Sequence, residues 1–68
     1  MKYLVVFEKS NRNYSAYSPD LPGCIATGKT SQEVEKNIRA AMTLHLEGMR
    51  EDGIIPPEPT SFTELVEV

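Results

Sequence analysis

Two segments constrain this chain more than anything else in it: one that is apolar on both sides, and one long amphipathic segment to cover it. "KYLVVFE" (2–8) is rich in β-branched and aromatic residues, which suit a pleated surface and predict a strand. Side chains alternate along a strand, so Tyr3, Val5 and Phe7 share one face and Leu4 and Val6 the other. Two apolar faces describe a central strand covered on both sides, not a solvated edge. "SQEVEKNIRAAMTLHLEGMRED" (31–52) supplies the cover. Val34, Ile38, Ala41, Met42, His45 and Met49 recur at helical steps, with Leu44 and Leu46 flanking the stripe. One helix shields one face of a sheet. The opposite face is left apolar and uncovered, which marks it as an interface.

The helix has clear limits. Thr30 and Glu33 form a capping box, in which hydroxyl and carboxylate satisfy free N–H groups at the helix start. Glu35 and Arg39 stand at the favourable i, i+4 spacing on the outer side. Gly53 suits the left-handed position that ends a helix, Ile54 and Ile55 are expected to fold back on the last turn, and Pro56 and Pro57 bar continuation. Before the helix, "YSAYS" (14–18) and "CIATG" (24–28) read as two further short strands, separated by the fixed-shape loop "PDLPG" (19–23), where Gly23 closes the turn. "SFTELVEV" (61–68) reads as a last strand whose Glu64 and Glu67 suit an edge. The expected architecture is α+β: two layers in the order β-β-β-α-β, with one helix on a four-stranded sheet, as a single domain over 1–68.

At 68 residues the chain buries only about 60% of its unfolded surface, a marginal core that self-association would supplement. One cysteine and one histidine build neither a disulfide nor a metal cluster, and no cofactor is expected. The start lacks the pattern of a signal peptide and no stretch approaches the roughly 20 apolar residues of a membrane span, so a cytoplasmic protein without membrane contact is expected. Charge is unevenly placed. Residues 1–46 hold six basic and four acidic side chains; residues 47–68 hold one basic and six acidic. A net charge of −3 without a basic stripe disfavours nucleic acid and favours a basic protein partner.

"GCIATGKT" (23–30) has the letter pattern of a phosphate-binding loop. The context opposes it. Ile25 and Thr27 are β-branched and favour extended backbone over a curled nest, and no apolar strand precedes Gly23. The residues read instead as a strand turning at Gly28, a solvated Lys29 and the helix cap Thr30. Other singled-out residues have similarly ordinary readings. His45 has no nucleophile for a partner and is expected as a packed, hydrogen-bonded core residue. Cys24 is expected as a small buried thiol. Asp20, between two prolines, either bonds its own turn or meets a basic partner. Gly48, inside the helix, either admits a close backbone or is simply tolerated. The acids from Glu47 to Glu67 are either a solvated surface or a steering field for a basic partner.

Taken together, "YSAYSPDLPGCIATGKTSQEVEKNI", "LHLEG" and "IPPEP" resemble the HicB antitoxins, in the short form that consists of the N-terminal domain alone; the likeness runs over residues 2–68. The resemblance implies a partial RNase H-like fold with a fourth strand beside the first, self-association as a dimer or tetramer, and masking of a small basic ribonuclease toxin, HicA, without enzymatic activity. Longer members carry a C-terminal DNA-binding domain; the sequence ends at Val68, so direct operator binding is not expected here. Strand one has only Glu8 at its end, so the carboxylate cluster of true RNase H nucleases is not expected either. On this reading Asp20, Leu21, Glu47, Glu51 and Glu64 are candidates for toxin contact. Leu4, Val6, Tyr17 and Leu65 are candidates for the oligomer interface, and Gly23, Cys24, Thr30, Glu33, His45 and Gly53 are structural. The alternative is an orphan oligomeric scaffold of the same fold with no toxin partner.

Overall fold

A computed structural model describes residues 1–68. Three short strands, β1 (Val6–Lys9), β2 (Tyr14–Tyr17) and β3 (Ile25–Gly28), precede one helix, α1 (Ser31–Glu51). The strands form an antiparallel sheet in the order β1-β2-β3, as the short connections require. The β1–β2 hairpin is closed by Ser10 and Asn13, the Ser10 N–H donating to the Asn13 carbonyl at 2.9 Å and its hydroxyl to Asn13 Oδ1 at 2.8 Å. Directly opposed residues share a face, so Phe7, Ala16 and Ala26 point to the helix side. Val6, Tyr17 and Ile25 point to the other side.

The helix lies on β3 and β2 and does not reach across β1. Its start is held as the capping pattern requires: the Glu33 N–H donates to Thr30 Oγ1 at 3.0 Å. The returning Glu33 carboxylate takes the Lys29 N–H, one residue before the cap, at 3.3 Å. At its end Asp52 is the cap, the Gly53 N–H donates to the Arg50 carbonyl at 3.1 Å, and the Ile54 N–H to the Met49 carbonyl at 2.8 Å. Those two bonds make a Schellman close, and Gly53 takes the φ of +72° it needs. Ile55 does not fold back; it is exposed.

The core is small: Ala16, Leu21, Cys24, Val34 and Ile38, with Tyr3, Val5, Tyr14, Ala26, Ala41, Met42 and Leu46 half-buried around it. Only Val34 and Ile38 of the helix are fully buried, because its second half runs on past the sheet. His45 lies in that half. It is half-buried and makes no side-chain hydrogen bond, so the packed, hydrogen-bonded histidine expected from the stripe is not found. Gly28 does more than let the strand turn. It is buried against the first turn of α1, where a Cβ would stand 2.6 Å from the Val34 nitrogen.

Two strands differ from expectation. β1 begins at Val6, not at Lys2, because β2 ends at Tyr17 and offers residues 2–5 no ladder; only the Leu4 carbonyl is engaged, by the Ser18 hydroxyl at 3.0 Å. The strand expected over 61–68 is not formed. Residues 55–68 make no backbone–backbone hydrogen bond, and Phe62 and Leu65 are 86% and 100% exposed. The sheet of this chain therefore has three strands, not four. The molecule measures 41 × 29 × 16 Å, with a radius of gyration of 13.2 Å. A compact chain of this length would have about 11 Å.

Candidate functional site

Three features of the surface stand apart from ordinary solvated protein. The first is the face of the sheet opposite the helix. Val6, Tyr17 and Ile25 lie side by side across all three strands, with Ile25 70% exposed and Tyr17 41% exposed. Leu4 precedes them on the same side by alternation and is half-buried. A polar row, Glu8, Ser15 and Thr27, borders them. The pairing register brings together two of the four residues expected at an oligomer interface, Val6 and Tyr17, with Leu4 just ahead of the strand. It adds Ile25, which sequence reasoning missed. The signal was available: Ile25 and Tyr17 stand on neighbouring strands, but only the register shows that they are opposed. Leu65 is not among them; it projects from the C-terminal segment.

The second feature is a groove of about 590 Å³ between β1 and α1. Tyr3, Val5 and Phe7 make its floor and Ile38, Met42 and Leu46 its wall, while Lys2, Glu35 and Arg39 supply its charge. It exists because the helix covers β2 and β3 and stops short of β1. Arg39 is bound to Glu35 at 3.1 Å in the expected i, i+4 pair, with both side chains largely in solvent.

The third feature is the anchor of the C-terminal segment. The Asp20 carboxylate accepts four hydrogen bonds: from the Thr60 N–H at 3.2 Å, the Thr60 hydroxyl at 3.1 Å, the Ser61 N–H at 3.1 Å and the Ser61 hydroxyl at 2.9 Å. The Ser61 N–H above all, aided by the hydroxyls, holds the Asp20 carboxyl below its ordinary pKa against a smaller opposing effect of burial. Neither sequence reading of Asp20 included this role. The tyrosine Tyr3 adds a second tie, its hydroxyl donating to the Pro57 carbonyl at 2.6 Å.

The remaining candidates fall in separate places. Leu21, expected to meet a partner, is 0% exposed: the Leu21 N–H bonds the Ser18 carbonyl at 3.1 Å and the turn drives the side chain into the core. Glu47 and Glu51 are exposed one turn apart near the end of α1, and Glu64 is exposed on the C-terminal segment. Cys24 is buried, and burial raises its thiol pKa, as an inert structural cysteine requires. Gly23 takes a φ of +84° in its turn. Ser18, buried and bonded to Leu4, was not singled out from sequence; a serine ending a strand carries little signal of its own.

The P-loop letters describe no nest. Ile25–Gly28 is a regular strand, and the first turn of the helix is occupied by the Thr30 and Glu33 side chains. No group of three His, Cys, Asp or Glu side chains comes together in a way that could hold a metal, and no helix is long and apolar enough to cross a membrane. What the surface does present is an apolar sheet face, a groove beside β1 and exposed acids at the end of α1 and on the C-terminal segment.

Residues 3–68 match the family described as HicB_like antitoxin of bacterial toxin-antitoxin system. A 14.9 kDa uncharacterized protein of the rep-hol intergenic region of Haemophilus phage HP1 is 42% identical over 52 residues, which are 76% of this chain and 39% of that one. A UPF0150 protein of Helicobacter pylori is 38% identical over 47 residues, 69% of this chain and 65% of its own length. A UPF0150 protein of Thermoplasma acidophilum is 37% identical over 51 residues, 74% of each chain. The chain thus spans about two fifths of the phage relative and about two thirds of the Helicobacter one.

Proposed function

The chain belongs to the HicB-like antitoxins of bacterial toxin–antitoxin systems, and from that membership we propose that it neutralises a small basic HicA-like ribonuclease by binding and masking it, without catalysis of its own. The family match over residues 3–68 is the observation that carries this reading. The charge of the chain supports it. Six of its ten acidic side chains lie in residues 47–68, and Glu47, Glu51, Glu58, Glu64 and Glu67 are all exposed. A basic partner approaching that end is steered by the field and held by complementary pairs. Leu21 takes no part in the contact, and Asp20 acts by fixing the chain that carries Glu58 and Glu64.

The antitoxin works in the cytoplasm as a homo-oligomer, with the apolar row Leu4, Val6, Tyr17 and Ile25 covered by another copy. The reading expects the adjoining gene to encode a short basic protein, and the test is co-expression with that neighbour. Rescue of growth from that neighbour's toxicity, lost on reversing Glu47 and Glu51 to lysine, is the expected result. Undiminished toxicity in the presence of folded antitoxin refutes the reading.

A further inference from the structure

We infer that Ser18, Asp20 and Tyr3 close a ring of three side-chain ties around residues 2–5 and 56–61, so that these two segments open and close as one unit while the sheet and α1 stay folded. The device goes beyond the antitoxin reading and stands or falls independently of it.

The turn over residues 18–24 is the hub. The Ser18 N–H donates to the Cys24 carbonyl at 3.2 Å, the Leu21 N–H to the Ser18 carbonyl at 3.1 Å and the Cys24 N–H to the Leu21 carbonyl at 3.1 Å. Ser18, Leu21 and Cys24 are all buried, so the turn is fixed to the core. Two of its side chains reach outward. The Ser18 hydroxyl donates to the Leu4 carbonyl at 3.0 Å and holds the segment ahead of β1. The Asp20 carboxylate accepts from the N–H and the hydroxyl of both Thr60 and Ser61 and holds the strap that follows α1. The Tyr3 hydroxyl then donates across to the Pro57 carbonyl at 2.6 Å, which joins the two held segments and closes the ring.

No ladder holds either segment. Residues 1–5 and 55–68 make no backbone–backbone hydrogen bond. Pro56, Pro57 and Pro59 lack an N–H, which leaves Glu58, Thr60 and Ser61 as the backbone donors of 56–61, and two of those three are taken by Asp20. The prolines also fix φ, so the strap loses little chain freedom when it closes. Both segments pack as well as bond: Tyr3, Leu4 and Val5 are half-buried, as are Pro56, Pro57, Pro59 and Ser61, while Glu58 and Thr60 face solvent. In a closed ring each tie keeps the partners of the others close, so loss of one weakens all three. Segments held by side chains outside the helix and sheet ladders are the part of a fold that opens locally, at less than the cost of global unfolding. The ring also joins two surfaces described above. Tyr3 forms part of the floor of the β1–α1 groove, and the strap carries Glu58. Whatever holds or displaces Tyr3 therefore acts on the strap, and by reciprocity the strap acts on Tyr3.

Backbone amide relaxation by NMR tests this on the full chain and on its Y3F and D20A variants, with D20N in place of D20A if that chain lacks the parent's helical circular dichroism. Order parameters are read at Tyr3, Leu4 and Val5 in one segment and at Glu58, Thr60 and Ser61 in the other. The parent should give rigid values, about 0.85, in both. Each variant should fall below about 0.6 in both segments, with the strands and α1 unchanged. Thermal unfolding supplies a second reading: a Y3F/D20N chain should melt close to the less stable single variant, not at the sum of the two shifts, because the ring is already open after the first change. A D20A or D20N chain that frees 58–61 and leaves 3–5 rigid, or a Y3F chain that frees 3–5 alone, overturns the ring, and so do Tm shifts that add. A parent chain already mobile in both segments overturns the ties themselves.

Discussion

Replacing Gly28 by alanine and Gly48 by alanine should move stability in opposite directions. An alanine Cβ at position 28 would lie 2.6 Å from the Val34 nitrogen, 2.9 Å from its Cα and 3.0 Å from the Glu33 carbonyl carbon. All three are backbone atoms, so no side chain can rotate away; the start of α1 must shift by much of an ångström. Overpacking of this kind costs about 1–3 kcal/mol. The same shift strains the Thr30 cap and the Asn37–Thr27 bond, and loss of a cap alone is worth about 0.5–2 kcal/mol. The φ of Gly28 is not positive, so alanine meets no backbone penalty and would gain about 0.4–1 kcal/mol by stiffening the unfolded chain. The net loss is then about 2–3 kcal/mol. For a domain of this size each kcal/mol moves Tm by about 4–8 °C, so the midpoint should fall by roughly 10–20 °C. At Gly48 a Cβ meets nothing within 4 Å, and helix propensity alone should raise stability by about 1 kcal/mol. Thermal unfolding followed by far-ultraviolet circular dichroism, at equal protomer concentration, reads both. A G28A chain as stable as the parent would mean that the helix does not rest on β3 as described. A G48A chain with lowered Tm would mean that another backbone approaches there.

Three further outcomes follow from the geometry. L21A should cost about 2–5 kcal/mol in chemical denaturation, as for a fully buried leucine, and near-zero loss would return Leu21 to the surface. Because the folded-state pKa of Asp20 is depressed, its contribution is present above the unfolded pKa and is lost as pH falls through the folded one. Amide exchange at Thr60 and Ser61 should therefore quicken on acidification and in D20N; exchange that is slow and pH-independent after correction for intrinsic rates would contradict the anchor. The Cys24 thiol, buried and with its pKa raised, should react slowly with a thiol reagent in the native protein and fast in denaturant, whereas equal rates would place it at the surface.

What the sequence disclosed depended on how locally each feature is determined. Thr30, Glu33 and Gly53 act within one turn of the chain, and their roles at the two ends of α1 were legible from spacing alone. The apolar stripe located the helix to within a residue at its end, but not how far the sheet extends beneath it; His45 was misread for that reason. Leu21 looked exposed because prolines and an aspartate surround it, yet a Ser18–Leu21 turn reverses it into the core. Asp20 could not be matched to Thr60 and Ser61, which lie 40 and 41 residues away, by any local rule. The last strand was read from its alternation, which is present; no ladder forms there, and alternation alone does not supply a partner.

The most direct measurement is sedimentation equilibrium of the full chain over a dilution series, with Tm recorded at each concentration. Three strands under one helix leave Val6, Tyr17 and Ile25 on a bare face and a groove beside β1. The expected result is a self-associated species that dissociates on dilution, with Tm falling in step as mass action requires. A compact single chain at every concentration, with a Tm that does not move, would contradict it.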